Sequence, residues 1–504
     1  MKFLQLKNYF LVIAFCVVSF FVNAQIPNVP GDFADPSVIK IGDTYYASAT
    51  SSNWMPAYPV LKSKDLKNWE WVANIFPEKP SWAEYYFWAP ELSYEDGKIY
   101  VYYTARRKGG ALAVAVASAN RPEGPYTDHG PLVEQPMGSI DGFPMRDENG
   151  KLFLIWKEDG NSQRKPTVMW IQEMNEARTQ LIGERKEMFR DSEKWERNLV
   201  EAASILKHNN YFYTIYAAAA CCGSGCTYAT GVARSRSLHG PWEKYDKNPL
   251  LTEEGDWKCQ GHGTAFKDGD KYYFLYHGYH KTGGVYTGRQ GLLKEFRFTS
   301  DNWIEFDKGF IYSENNYRDK IKFNDNFNKR KPGVSWNWSV FHQPEIKISC
   351  GKLNLAVGSG TKPEAIFAQK TYTKNYTMSV DVFPRKSNTD AGITIIGDDD
   401  NYVAAMVNGN KLSLIHKAKG KETVIAEEAI SSKRKIGLKV TVKNSMELQF
   451  AVNDGNSFRN VGNVISGKQL PPWDRALRAG LIVKGYHQSK GIFDNFILIS
   501  TGDY

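Results

Sequence analysis

The chain has 504 residues, a formal net charge of +9 and 14% aromatic residues. Its lysines are scattered rather than run together, which describes a solvated surface and not a nucleic-acid footprint. Past the first 24 residues no stretch is long or apolar enough to span a bilayer as a helix.

Residues 1–24 are expected to be a secretory signal peptide. Lys2 and Lys7 make a basic start, "YFLVIAFCVVSFFV" is the apolar region, and "VNA" offers cleavage after Ala24. Cys16 follows Phe15, where a lipoprotein signal carries a small residue, so it reads as part of the apolar region. The protein is therefore expected to be secreted or periplasmic.

From residue 25 to 310 one pattern recurs: an apolar strand, a tight polar turn, an aromatic strand. The instances are "VIKIGDTYYASAT", "LSYEDGKIYVYYT", "FPMRDENGKLFLIW", "ILKHNNYFYTIYA" and "AFKDGDKYYFLYH", with turns near Gly42, Gly97, Gly150, Asn210 and Gly269. Gly-Asp, Asp-Gly, Asn-Gly and Asn-Asn suit hairpin turns that need positive φ. Turns 53–60 residues apart, each opening a unit of four strands, predict a five-bladed β-propeller. Two consecutive β-sandwiches are the rival reading. Residues 311–322 read as a polar linker. Residues 323–504 alternate like strands without the earlier spacing and predict a β-sandwich that binds sugar or braces the propeller. The fold class is thus all-β.

Five cysteines follow the signal: Cys221, Cys222, Cys226, Cys259 and Cys350. Export permits disulfides, and an odd count leaves one thiol over. Cys221–Cys222, Cys222–Cys226 and Cys226–Cys259 are the pairings considered. "CCGSGC" lacks partners at zinc spacing. It lies after the fourth hairpin, where a rigid loop would limit which sugar or leaving group fits.

In a propeller the innermost strands converge on the axis, so residues at their ends face one another. Asp35, Asp141 and Glu201 lead into the first, third and fourth hairpins, 7, 9 and 9 residues before the turns. Three carboxylates around one axis suit glycoside cleavage by inversion. A general base activates water, a general acid protonates the leaving oxygen, and ~6.5–9.5 Å between them admits the water. A third carboxylate raises the acid's pKa by like-charge repulsion. Trp54 and Trp88 are candidate walls of a sugar pocket, since aromatic faces stack on sugar C–H faces. His262 precedes the fifth hairpin in the same register. Arg289 is placed to hold a sugar hydroxyl or a catalytic carboxylate. Glu196 is the fallback acid.

"ADPSV", "FWAPEL", "SIDGFPM", "LVEAASIL", "GVARSRSLHGPW" and "GHGTAF" occur in that order. Over roughly residues 28–308 the chain resembles glycoside hydrolase family 43. The resemblance implies a five-bladed propeller and inverting, exo-acting hydrolysis of β-D-xylosides or α-L-arabinofuranosides, with β-xylosides favoured. It assigns the general base to Asp35, pKa modulation and positioning to Asp141, and the general acid to Glu201. It brings no organic cofactor, and it implies a structural Ca2+ that His262 contacts through water. The C-terminal part resembles the concanavalin-like sandwich often joined to such propellers. Two departures stand beside the acids: Glu201-Ala202-Ala203 where Glu-Gly-Pro is frequent, and Asp141-Gly142 where Asp-Pro is. The expected partner is a xylose- or arabinose-containing oligo- or polysaccharide. The alternatives are an exo-galactosidase on the same scaffold, a non-catalytic carbohydrate-binding propeller, and a retaining fructan-cleaving propeller. The Ala-Asp-Pro-Ser context of Asp35 argues against the last.

Overall fold

The five predicted hairpins form the inner two strands of five sheets. The computed structural model describes residues 27–312, 320–359, 363–431, 434–455 and 457–501, so the expected signal peptide, including Cys16, lies outside the described residues. Blade 1 is Ser37–Ile41, Thr44–Ser48, Ala57–Ser63 and Glu70–Phe76. Blade 2 is Ala83–Glu95, Lys98–Arg107, Leu112–Ala119 and Thr127–Glu134, and blade 3 is Ser139–Arg146, Leu152–Glu158, Val168–Met174 and Leu181–Arg190. Blade 4 is Val200–His208, Tyr211–Ala218, Ala229–Ser235 and Glu243–Lys244. Blade 5 is Trp257–Asp268, Lys271–His280, Arg289–Phe298 and Ile304–Phe306. Each blade is an antiparallel meander of neighbours in sequence. Apolar residues of adjacent blades pack between the sheets: Ile155 and Met169 of blade 3 share one core cluster with Ile205 and Tyr216 of blade 4.

Among the described residues no strand is exchanged between the first and last blades. The segment before blade 1 instead pairs with blade 5, through a Val29–Gly291 bridge and a hydrogen bond from the Phe33 amide to the Arg289 carbonyl. The side chain of Asp32 accepts from the amides of Arg289 and Ala476, and its carbonyl accepts from Lys370 Nζ at 2.6 Å. This one corner thus joins the N-terminal segment, blade 5 and the second domain.

Residues 320–501 form two facing sheets. In one, Lys490–Thr501 lies between Lys352–Ala356 and Tyr376–Val382 and also pairs with Lys320–Asp325. The other runs Glu364–Lys370, Arg478–Lys484, Asp390–Asp398, Asn401–Asn408, Lys411–Ala418 and Lys421–Ala429. Alternating apolar side chains such as Leu438, Val440, Ile393 and Leu481 fill the space between them. The strand Lys320–Asp325 begins inside the expected linker, of which residues 313–319 lie outside the described residues.

The outer face of the second sheet covers the propeller. Trp54 packs there against Ile366, Ala368 and Ile482 with the Arg478 guanidinium over its ring, and Trp54–Met55 pairs with Trp338–Ser339. Trp54 is 3% exposed. The expectation that it walls the sugar pocket is therefore corrected: it is an interdomain core residue. Its Ser/Asn/Pro-rich surroundings are polar because they form a turn, and the second domain buries that turn.

Candidate active site

Asp35, Asp141 and Glu201 line one pocket of about 330 Å³, together with Trp88, His262, Arg289, Cys221 and Cys222. The backbone explains how three blades deliver side chains to one point. Asp35 and Asp141 have φ of 51° and 58°, Ala202 beside Glu201 has 60°, and His262 has 45°. In blades 3, 4 and 5 the pairing with the next strand slips at these positions, between Ile140 and Phe143, Glu201 and Ser204, and Lys258 and Gly263. A bulge with a residue in the left-handed region turns a side chain out of the strand's alternation, here toward the axis. Non-glycine residues held there carry strain that concentrates at functional sites. Gly142 follows from the same geometry. A Cβ at this position would come within 2.5 Å of Val114 Cγ1, so neighbouring packing accounts for the departure beside Asp141.

Asp35 is 8% exposed and densely partnered. Thr50 Oγ1 donates to its Oδ2 at 2.6 Å, and Arg289 Nη1 donates to its Oδ1 at 2.9 Å. His262 Nδ1 lies 3.4 Å from the same oxygen. The Asp35 amide donates to His277 Nδ1 at 3.0 Å, so His277 uses that nitrogen as an acceptor and is the neutral tautomer protonated at Nε2. Burial agrees, holding the His277 pKa well below its ordinary value. For Asp35 burial alone pushes the pKa upward, but Arg289, His262 and the Thr50 hydrogen bond outweigh it and hold the carboxyl well below the usual range. Asp35 is ionised across the working pH range.

Asp141 has the opposite character. Burial is the largest influence, the charges of Glu201 and Asp35 add to it, and His262 and Lys157 oppose it, leaving the carboxyl pushed up to about 7. Its Oδ2 accepts from the Ala202 amide at 3.1 Å, next to Glu201. Glu201 accepts from Tyr228 Oη at 2.7 Å and from Lys157 Nζ at 2.6 Å. Lys157 also reaches Asp159 at 3.3 Å, and its side chain is 1% exposed. The sequence reading placed no cation here. Lys157 sits in "LFLIWKE", where alternation does not distinguish a lysine facing the axis from one at the end of an outer strand.

Arg289 connects Asp35 to the second domain. Its Nη2 donates to the Asp474 carbonyl at 3.0 Å, while Asp474 Oδ2 accepts from Trp88 Nε1 at 3.3 Å and Oδ1 from Arg475 Nη1 at 2.6 Å. Ser52 Oγ donates to the same carboxylate. The neighbouring Trp473 is 51% exposed and stands edge-on to Trp88 at 5.7 Å, and Tyr86 stacks on Trp88 at 4.5 Å. Trp88 is thus a pocket wall, and Tyr86 and Trp473 complete it. No signal in the propeller sequence points to Trp473, which comes from a sandwich loop.

Glu196 takes no part in the pocket. It is fully buried, closes a capping box on the turn Lys194–Glu196, and accepts from Tyr216 Oη at 2.7 Å while pairing with Lys244. Cys221 is bonded to Cys222 and Cys226 to Cys259, which among the described residues leaves Cys350 as the free thiol.

For calcium, among the described residues no three His, Cys, Asp or Glu side chains are grouped so as to hold a metal ion. Calcium favours a shell of six to eight oxygens, and His262 presents a nitrogen turned toward Asp35. Among the described residues the side chains form no direct calcium cage, and a calcium near His262 would be held through water.

Glu91 lies elsewhere on the axis, between Thr264 of blade 5, which donates to it at 2.8 Å, and Ser37 of blade 1. Burial pushes its carboxyl from 4.5 up to about 8 against the lowering effect of those two hydroxyls. A folded pKa above the unfolded one means stability that is complete below about pH 4.5 and is lost as pH rises through about 8. Glu91→Gln is therefore expected to raise the thermal midpoint relative to wild type at pH 9 and to lose that advantage at pH 5, as melts across this range would read.

The sequence profile of Glycosyl hydrolases family 43 matches residues 24–304, more than half of the chain. The chain belongs to this family. The profile of the Beta xylosidase C-terminal Concanavalin A-like domain matches residues 324–473. Among family-43 proteins, the chain is 27% identical over 314 residues to the Xylosidase/arabinosidase 43B of Humicola insolens, a match covering 57% of this chain and 55% of that protein. It is 24% identical over 440 residues to a non-reducing end α-L-arabinofuranosidase of Bacteroides ovatus, covering 78% of this chain and 77% of the other. The fold is similar to the crystal structure of a xylan β-1,4-xylosidase from Bacillus halodurans C-125, with a TM-score of 0.80 at 20% identity over 94% of this chain and 100% of that one. Among the described residues no helix is long and apolar enough to cross a membrane.

Proposed function

We propose that the protein is a secreted, exo-acting, inverting glycoside hydrolase that releases xylose from β-xylosides of plant-type polysaccharides or their oligosaccharides. The observation that carries this reading is the charge division in the pocket: Asp35 pinned ionised by Arg289, and Asp141 pushed up to about 7 by burial beside Glu201. Asp35 is suited to take a proton from water as that water attacks the anomeric carbon. Glu201 is suited to deliver a proton to the departing oxygen, with Tyr228 and Lys157 holding its position. Asp141, against the Ala202 amide, is suited to modulate the acid and to orient the sugar. General acid–base assistance of this kind contributes ~10²–10⁴-fold each.

The family membership supports glycosidase chemistry, and the pocket's size supports exo action. A recess of about 330 Å³ walled by Trp88 and Trp473 takes a chain end more readily than a chain passing through. The two disulfides support export to an oxidising compartment, as does the N-terminal apolar segment. α-L-Arabinofuranosides are the second reading, supported by the similarity to the Bacteroides ovatus arabinofuranosidase, which aligns over most of both chains.

The test is proton NMR of the first-formed product from 4-nitrophenyl β-xyloside and 4-nitrophenyl α-L-arabinofuranoside. The expected first product of the xyloside is α-xylose, the inverted anomer. Retention would reject the two-carboxylate inverting scheme, and no cleavage of either glycoside would reject the assignment.

A further inference from the structure

The loop of residues 219–228 joins the second and third strands of blade 4, closing over the paired residues Ala218 and Ala229. It starts beside the candidate acid, because Glu201 is paired with Ala217 on the adjoining strand. The leaving group lies on the side of the acid that protonates it, so this loop borders the leaving-group side of the pocket. Cys221 and Cys222 line the pocket and are half-buried.

The two disulfides of this loop do different things. Cys226–Cys259 crosses 33 residues and fixes the loop to the innermost strand of blade 5. Gly223 adds a second tie, its amide donating to Tyr279 Oη at 3.3 Å. Cys221–Cys222 joins adjacent residues. It encloses no intervening chain, so it removes almost no freedom from the unfolded state and adds nothing to the tether. What it changes is local: two side chains become one ring with two adjacent sulfurs on its surface. Through Cys221 that ring packs against an apolar cluster of Ala202, Ala217, Tyr279 and Tyr228, the last of which holds Glu201. Soft, polarisable sulfur is suited to contact with C–H surfaces.

We propose that the bonded Cys221–Cys222 pair is a rigid apolar platform for the sugar ring on the leaving-group side of the scissile bond, and that it sets the preference for glycosyl over small leaving groups. This rests on the glycosidase reading above. The ligand class is a pyranose presenting its C–H face, the unit next to the one released.

The experiment compares a disaccharide with the matching glycosyl fluoride, whose leaving group has no ring to rest on the platform. The protein is the full chain, with β-xylosyl and α-L-arabinofuranosyl series both assayed. For Cys221→Ala with Cys222→Ala, the ratio of kcat/KM for disaccharide to that for fluoride is expected to fall roughly tenfold, the size of effect a lost apolar contact produces, with the change carried by KM for the disaccharide. Native wild type treated with a phosphine, with opening of the 221–222 bond verified by alkylation and mass spectrometry, is expected to shift the ratio the same way and does not depend on the variant folding. A ratio within twofold of wild type in the folded variant or in the reduced protein overturns the platform. If wild type turns over neither fluoride, the glycosidase reading falls and the platform falls with it, whereas fluoride turnover with an unchanged ratio removes the platform alone.

Discussion

Asp35→Asn is expected to lower kcat/KM by about 10³-fold or more on any glycoside the wild type cleaves, since a general base contributes up to ~10⁴-fold. The same substitution is expected to lower stability. Arg289, with its side chain 4% exposed, would keep its charge and lose the carboxylate 2.9 Å away. A buried ion left without its partner costs about 3–5 kcal/mol. Glu201→Gln is expected to lose activity on a similar scale on substrates with poor leaving groups and less on activated ones, because an activated leaving oxygen needs little protonation. Steady-state kinetics on an aryl series together with thermal melts checks all three statements. Wild-type rates in folded Asp35→Asn would remove Asp35 from catalysis.

The second large effect is expected at Lys157→Met. In the native protein burial pulls Lys157 down, but Glu201, Asp159 and Asp141 more than offset this and hold it above 10.5, so it remains a cation. Removing it leaves three carboxyl groups facing one another in a closed space. Lys157 is one of the influences that lower the Asp141 pKa, so its loss moves that pKa above about 7. Deprotonation of Asp141 is expected to set the alkaline limb of the rate profile, near pH 7 in wild type; in Lys157→Met this limb is expected to shift upward. The peak rate is expected to fall by about 10²-fold, at the lower end of what acid–base assistance supplies, because Glu201 loses the donor that positions it. Stability follows the same sign. Carboxyls whose folded pKa exceeds the unfolded value favour the native state at low pH and lose that contribution as pH rises, so the variant should melt near wild type at pH 5 and well below it at pH 9. A profile whose alkaline limb stays in place would show that Lys157 does not act on the Asp141 carboxyl.

Much of this architecture was legible in the sequence because hairpins are local. Apolar alternation and turn residues of positive φ, such as Gly42 and Gly150, are set by neighbours a few positions away. Asp35, Asp141 and Glu201 could be found by counting back from those turns, since a common register puts equivalent positions on a common axis. Trp54 was misread for the complementary reason. Whether a tryptophan in a polar turn faces sugar or protein depends on what covers the turn, and the cover begins near Trp338 and Ile366. Trp473 and Asp474 escaped notice because they belong to a loop hundreds of residues away, in a domain that reads as a separate sandwich. Lys157 was missed because a mid-sequence lysine is ordinarily a solvated one. Cysteine positions allowed several pairings, and only the proximity of blades 4 and 5 selects Cys226 with Cys259.

The absence of an exchanged strand has a consequence for when the site comes into being. Asp35 stands at the start of the ring, while Arg289, which pins it, is 254 residues further along. During synthesis four blades emerge before that partner exists, and the aspartate spends this interval as an ordinary solvated carboxylate. Contacts of such long sequence separation form late, because closing the intervening loop must come first. Asp35 therefore gains its ion-pair partner only when the circle is complete, and the docking of Asp474 onto Arg289 makes the sandwich, which follows the propeller in the chain, a participant in setting the charge of the first residue of the site.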